Sequence, residues 1–157
     1  IGKKYNISNF GIYAVNSLRL EKAYKGWGSE LTGEISLVEA DMGRFFNLDK
    51  KKNFLGSKML EEKLNNGIDI KIIYLEIDVN GADAIGNEPV YHNNKIVGVI
   101  TSGGYGFRVN KSLAFAYVES TLAQENKEFE VEIMGQKRPA ISLKKMAYDS
   151  HNTRLIS

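Results

Sequence analysis

The hydrophobic period changes once along this chain, and the change falls at Gly67. Before it, Ile12, Val15 and Leu18 recur at the spacing of one helix face, with Ser8 and Asn9 as candidate N-caps. Gly26-Trp27-Gly28 stops that helix and turns the chain. A short extended stretch is expected from Phe45 to Leu48. A second helix is expected from about Lys58 to Leu64, capped by Ser57 and closed by Asn65-Asn66-Gly67.

Beyond Gly67 the pattern alternates. Ile73, Leu75, Ile77 and Val79 interleave with Tyr74, Glu76 and Asp78, the signature of a half-buried strand. Val90-Tyr91-His92 and Lys95 to Thr101 flank Asn93-Asn94, a tight hairpin turn. Leu113 to Val118 is apolar on both faces and is expected to be a central strand. Phe129, Val131 and Ile133 alternate with glutamates, and Gly135-Gln136 returns the chain into Arg138 to Leu143. Strands joined by short turns predict a small antiparallel barrel or sandwich. The expected class is α+β: a partial mixed α/β subdomain over residues 1–66, then a compact all-β unit over residues 67–157.

Composition narrows the chemistry. At 157 residues the chain holds one ordinary domain or two small ones in contact. Lys and Arg number 21 against 19 Asp and Glu, too even a balance to mark a nucleic-acid or anionic-membrane surface. With no cysteine there is no disulfide, thiolate nucleophile or Cys-ligated metal. No apolar run approaches the roughly 18–20 residues that span a bilayer. The chain opens Ile1-Gly2-Lys3 without a signal-peptide pattern, and the missing Met is what a piece of something longer, or processing of the chain, would give.

Several motifs dissolve on inspection. Ser102-Gly103-Gly104-Tyr105-Gly106 followed by Lys111-Ser112 looks like a phosphate cradle, but Asn110 stands where a P-loop needs Gly and a β pattern follows. These glycines are expected in a tight inter-strand loop. His92 and His151 lie in separate segments without metal-ligand spacing; His92 reads as a solvated strand-end residue. Lys50-Lys51-Lys52 reads as a solvated loop, and Asp78, Asp83 and Glu88 as exposed loop charges. Arg19, between Leu18 and Leu20 near the end of the first helix, offers a planar donor fork to a carboxyl, amide or heteroaromatic ring. The plainer alternative is a surface ion pair with Glu21 or an Asp.

At this point a resemblance enters. Ser17-Leu18-Arg19-Leu20-Glu21-Lys22, Trp27-Gly28, Glu39-Ala40-Asp41-Met42-Gly43 and Phe54-Leu55-Gly56 resemble the folate-binding aminomethyltransferase (glycine cleavage T-protein) family. Gly98 to Gly106 and Lys111 to Val118 resemble its C-terminal β-barrel. The variant with the greatest similarity is the C-terminal portion of FAD-dependent dimethylglycine and sarcosine dehydrogenases, through Gly86-Asn87-Glu88-Pro89-Val90 and the ending Tyr148 to Leu155.

The resemblance implies that residues 1–66 are a remnant of the middle, folate-binding subdomain and residues 67–157 the C-terminal barrel. It implies tetrahydrofolate as cofactor, accepting a one-carbon unit from an aminomethyl or N-methyl amine-derived donor, with FAD confined to another part of the parent protein. It matches Arg19 to the family's folate-site arginine and puts Arg44 where relatives carry Trp or Tyr, with Phe45 beside it. Tyr105 and Tyr148 are further aromatic candidates for the cofactor site. The family's catalytic Asp and pteridine-clamping Glu and Tyr would precede Ile1, so no catalytic residue and no metal ligand is assigned here, and the chain is one wall of a site. Enzyme activity would belong to the parent. The partners implied are folate, the donor, and the N-terminal half of the same protein or a partner subunit, with no nucleic acid and no membrane. The compartment implied is the cytoplasm, or the mitochondrial matrix in a eukaryote. The alternative is a non-catalytic packing or scaffold module that binds no ligand on its own.

Overall fold

A computed structural model describes residues 2–47 and 54–156. The Lys50–Lys52 run and the Leu48 end of the expected extended stretch lie outside those residues. Among the described residues there are two α-helices, α1 (Ile12–Glu21) and α2 (Ser57–Asn66). They precede six strands: β1 (Ile70–Ile77), β2 (Pro89–His92), β3 (Lys95–Gly106), β4 (Lys111–Glu119), β5 (Glu128–Ile133) and β6 (Gln136–Ser142). All pairings are antiparallel, in the order β1-β4-β3-β2-β5-β6, and β6 closes on β1 to make a barrel. The α+β expectation holds. Closure gives every strand a partner on both sides, which a sandwich would not achieve.

The turns follow from the residues that occupy them. Asn93 and Asn94 both take positive φ (51° and 62°), the geometry that matches hairpin twist. Met134 (51°) and Gly135 (74°) do the same between β5 and β6. Gly67, at φ 85°, ends α2.

β4 is buried on both faces because the barrel wall is packed from both sides. Ala114, Ala116 and Val118 point inward with Ile73, Leu75, Ile77, Val90, Phe129 and Val131. Leu113, Phe115 and Tyr117 point outward and form a second cluster with Ile72, Tyr74 and Leu20 of α1. Tyr74 on β1 is therefore buried too, although strict alternation gave it to solvent.

Several local expectations need correction. α1 begins after Gly11, which caps it in an extended conformation without a side-chain bond, so Ser8 and Asn9 stand outside the cap position. Ser57 is the first residue of α2, and Gly56 precedes it at φ 88°. The Gly-rich segment is strand rather than loop. Gly103 is there because the β1–β2 connection folds back into the interior: a Cβ at Gly103 would lie 2.4 Å from the Ala84 carbonyl oxygen. Asp83 is half-buried, and Glu88 organises its own loop by accepting the N–H groups of Ile85 (2.9 Å) and Gly86 (2.8 Å). The residues expected to start an extended stretch at Phe45 instead close a 3-10 turn, Gly43–Phe45, because the Phe45 N–H donates back to Met42. The Ile12, Val15, Leu18 face of α1 points away from the barrel. Helical spacing identifies a face but does not say which neighbour covers it.

Candidate functional site

α1 docks on the outer wall of the barrel through its polar side. Ser17 Oγ donates to the Tyr105 carbonyl (2.7 Å), and Asn16 Nδ2 reaches the Gly103 carbonyl (3.4 Å). The Tyr74 hydroxyl donates to the Leu20 carbonyl at the end of the helix (2.8 Å). Glu21, 2% exposed, accepts the Arg108 N–H at 2.6 Å, and its carbonyl accepts the Tyr148 N–H. Leu20 is the apolar peg among these bonds, fully buried in the outer cluster.

The centre of this interface is Glu30, which has no exposed surface. One carboxylate oxygen, Oε2, accepts from Arg19 Nη1 (2.8 Å), the Gly26 N–H (2.7 Å) and Ser29 Oγ (3.0 Å). The other, Oε1, accepts from Thr101 Oγ1 (2.7 Å) and Ser102 Oγ (2.5 Å). Its backbone carbonyl accepts the Tyr117 hydroxyl (2.8 Å). Two consecutive residues of β3 reach one carboxylate because the strand is bulged between Ile100 and Ser102, which turns both hydroxyls to the same side. Burial pushes the Glu30 carboxyl up, but the hydrogen bonds from Ser102, Gly26 and Thr101 and the Arg19 charge outweigh it and hold it below the usual carboxylate range. Tyr117, buried beside it, is pushed up.

This arrangement defines Arg19. Its Nε donates to Asn16 Oδ1 (2.8 Å), its Nη1 to Glu30 and the Tyr24 carbonyl (3.3 Å), and its guanidinium lies 6.0 Å from the centre of the Phe115 ring. With 17% of its side chain exposed, it is held in one orientation on the outer wall. The ion pair expected with Glu21 or an Asp is made with Glu30, and it is internal rather than superficial. Glu21 turns to Arg108 instead.

The other residues singled out from sequence do not converge on it. Arg44 and Phe45 are exposed and stack on each other, guanidinium carbon 4.7 Å from the ring centre. Their turn is tied to β1 by the Lys71–Asp41 ion pair (3.1 Å) and by the Ile72 N–H donating to the Glu39 carbonyl. Tyr148 is half-buried and joined to α1 through its backbone. Tyr105 lies in a separate cavity whose lining includes none of Arg19, Arg44, Phe45 or Tyr148. Beneath Phe115 and Tyr74 lies a smaller cleft, about 350 Å³, whose rim carries Lys25, Lys71, Lys144 and Lys145 against Asp41 and Glu125. Among the described residues, no cluster of three or more His, Asp or Glu is placed to hold a metal, and no helix is long and apolar enough to cross a membrane.

Sequence reasoning missed Glu30 as the hub. The available signal was Ser29-Glu30 beside a double-glycine turn, Gly26 and Gly28, where backbone N–H groups are free to bind an anion. Thr101 and Ser102 carried no signal, because only the bulge makes them neighbours in function.

Comparison with known proteins follows this geometry. Residues 71–149 match the glycine cleavage T-protein C-terminal barrel domain, and residues 1–50 match the GCVT N-terminal domain. The chain is 37% identical over 153 residues to mitochondrial dimethylglycine dehydrogenase of Homo sapiens, covering 98% of this chain and 18% of that protein. It is 34% identical over 138 residues to the aminomethyltransferase of Prochlorococcus marinus (strain NATL1A), covering 88% of this chain and 37% of the relative. In fold it is similar to the crystal structure of glycine cleavage system aminomethyltransferase T from Bartonella henselae. The TM-score is 0.86 at 22% identity, covering 95% of this chain and 42% of that one. The chain thus spans from under a fifth to about two fifths of the proteins it matches. On the match that covers its whole barrel, it belongs to the glycine cleavage T-protein family.

Proposed function

We propose that the chain is the C-terminal wall of a tetrahydrofolate-binding aminomethyltransferase module, within a dimethylglycine or sarcosine dehydrogenase-like flavoprotein. Residues 1–66 would contribute the remainder of the folate-binding subdomain and residues 67–157 the barrel behind it. The observation that carries the reading is the immobilised Arg19, its guanidinium fixed by Glu30 and Asn16 before any ligand arrives; the resemblance matches it to the family's folate-site arginine. A donor held in one geometry loses little freedom on binding a ring or amide acceptor.

Arg44 and Phe45 would present a guanidinium–aromatic stack to the cofactor in place of a single aromatic ring, with Tyr148 bordering α1. The lysine excess at the cleft beneath Phe115 suits the carboxylates of a folate tail. In this reading the chain binds and orients the folate; the acid or base that moves protons and the flavin that oxidises the amine are supplied by other parts of the parent protein. The mitochondrial dehydrogenase relatives support a matrix location for a eukaryotic parent.

The test is a titration with tetrahydrofolate, followed by heat and by Trp27 fluorescence. It would use this chain alone and joined to the N-terminal portion of an aminomethyltransferase. Weak binding by the chain, tight binding by the joined protein, and at least a tenfold loss on Arg19→Ala are expected, about the worth of one charged hydrogen bond. No binding by the joined protein overturns the reading.

A second reading has its own observation. Ile12, Tyr13 and Leu18 lie 75%, 88% and 57% exposed along the outer side of α1. An apolar stripe of that kind suits a packing module buried against the parent enzyme or a partner subunit. Tight stoichiometric folate binding by the chain alone would defeat it.

A further inference from the structure

Lys25 stands between two residues that the Arg19–Glu30 pair pins. On one side the Tyr24 N–H donates to the Arg19 carbonyl (2.8 Å) and the Tyr24 carbonyl accepts from Arg19 Nη1. On the other the Gly26 N–H donates to Glu30 Oε2 (2.7 Å). The backbone at Lys25 is thereby fixed, and its half-buried side chain lines the cleft of about 350 Å³ bordered by Tyr74 and Phe115. Four lysines share that cleft. Lys71 pairs with Asp41 (3.1 Å), Lys144 pairs with Glu125 (2.8 Å), and Lys145 Nζ lies 3.4 Å from His151 Nε2. Among the described residues, Lys25 Nζ makes neither a hydrogen bond nor an ion pair.

An ammonium at this position is poorly supported. Burial is the largest influence and disfavours the charged form. Asp41 and Glu30 favour it, Arg44 and Lys71 oppose it, and the balance holds Lys25 below the usual lysine range. Both acids are committed elsewhere, Glu30 to its five donors and Asp41 to Lys71. Across the cleft the Lys144–Glu125 pair is neutral as a unit, and Lys145 adds a further cation. A lysine that is fixed in place, partly desolvated and set beside other cations keeps a larger share of its amine free. That is how proteins make lysine a nucleophile for carbonyl compounds.

We propose that Lys25 is a nucleophilic amine that captures small aldehydes as an imine in this cleft. The Nζ lone pair attacks the carbonyl carbon, and a proton moves from nitrogen to oxygen to give a carbinolamine. The hydroxyl is then protonated and leaves as water, and the nitrogen releases its remaining proton, which leaves a C=N bond. Nothing is oxidised or reduced. The Asp41–Lys71 pair on the same cleft supplies a carboxylate and an ammonium for the proton transfers. A small partner follows from the volume of the cleft. An aldehyde follows because its condensation needs only a free amine and a proton relay, and both are present. The inference does not rest on the folate reading, because it is tested with no folate added.

Acetaldehyde is the probe, added sparingly to the 157-residue chain at about pH 7 with cyanoborohydride, which reduces an imine to a stable N-ethyl amine. Mass spectrometry of the peptides then ranks the lysines. Lys25 is expected to be ethylated at least about fivefold faster than the exposed Lys58 and Lys95. The advantage should shrink as pH rises toward about 10.4, where ordinary lysines lose their protons as well. Lys71→Gln removes an opposing cation and releases Asp41 to pair with Lys25, so it should bring Lys25 down to the rate of the exposed lysines. The Lys71 side chain is 37% exposed, so the fold should tolerate the change, and the pH series on the unaltered chain serves if it does not. Equal rates at pH 7 overturn the proposal. So does an advantage that stays constant with pH, as access alone would give, or one that survives in folded Lys71→Gln protein.

Discussion

The barrel and the segment before it are held together by different physics. The barrel encloses its own core: Leu75, Val90, Val131 and Ala116 reach zero exposure on strands that pair with each other around a closed circuit. The N-terminal segment has one fully buried large apolar residue on α1, Leu20, and is tied down by buried carboxylates, Glu30 and Glu21, that collect donors from the barrel wall. Hydrophobic burial tolerates sliding, whereas a carboxylate with five donors permits one position. The segment that carries Arg19 is thus attached to the barrel by directional bonds.

The largest expected effect comes from the barrel. Leu75→Ala should lower stability by about 3–4 kcal/mol through lost burial and a residual cavity, and denaturant unfolding should show one transition shifted as a whole. Glu30→Gln should cost about 3 kcal/mol, because Arg19 loses its counter-charge in a part-buried setting and the pair's other donors face a neutral amide. Here the loss should be local: hydrogen exchange should rise in α1 and residues 26–30 while β1 and β4 keep their protection. A uniform rise across the barrel would erase the distinction between the two regions.

Acid should separate them too. The carboxyls of Glu30 and Glu39 both sit below their ordinary value in the folded chain. For Glu39, burial pushes up, but Lys63 and Ser36 outweigh it. For a depressed carboxyl the unfolded chain binds more protons, so stability rises with pH across the interval between the folded and unfolded values. The contribution of both should be complete above the ordinary carboxylate value, about 4.3, and lost as pH falls through the lower folded values. A pH series of thermal unfolding, with α1 exchange as the local probe, should show the N-terminal segment loosening first.

The smallest effect should come from the residues whose spacing announced a helix. Leu18→Lys should change stability by less than about 0.5 kcal/mol, because Leu18 lies outside both apolar clusters. A loss above about 1 kcal/mol, measured by denaturant titration, would mean that the stripe is covered in solution.

Much of the barrel was legible because its determinants are local. Alternation in Ile73 to Ile77, the Asn93-Asn94 turn and the two-sided Leu113 to Val118 run each named a strand and its place. The helices were visible but their orientation was not: the spacing of Ile12, Val15 and Leu18 is real, yet the covered face is the one with Ser17, Leu20 and Glu21, whose hydrogen bonds leave no mark on hydropathy. Arg19 stood out in the sequence and its partner did not. Eleven positions separate Arg19 from Glu30, and Ser102 is 72 from it. Long-range polar contacts of this kind have no periodic trace. Resemblance to a family singles out Arg19, and the fold shows what holds it.

The extra residue at Thr101 deserves its own accounting, since it works as a phase shifter. Counting by twos from the inward Ile100, Ser102 would point into the barrel and Tyr105 out of it; the register puts Ser102 opposite Phe115 and Tyr105 opposite Ser112, reversing both. One amino acid thus lets a single strand feed an ion-pair network on one side of the wall and turn Tyr105 inward on the other. A homologue that lost the residue at this position would turn Ser102 inward and Tyr105 outward, giving up both duties together.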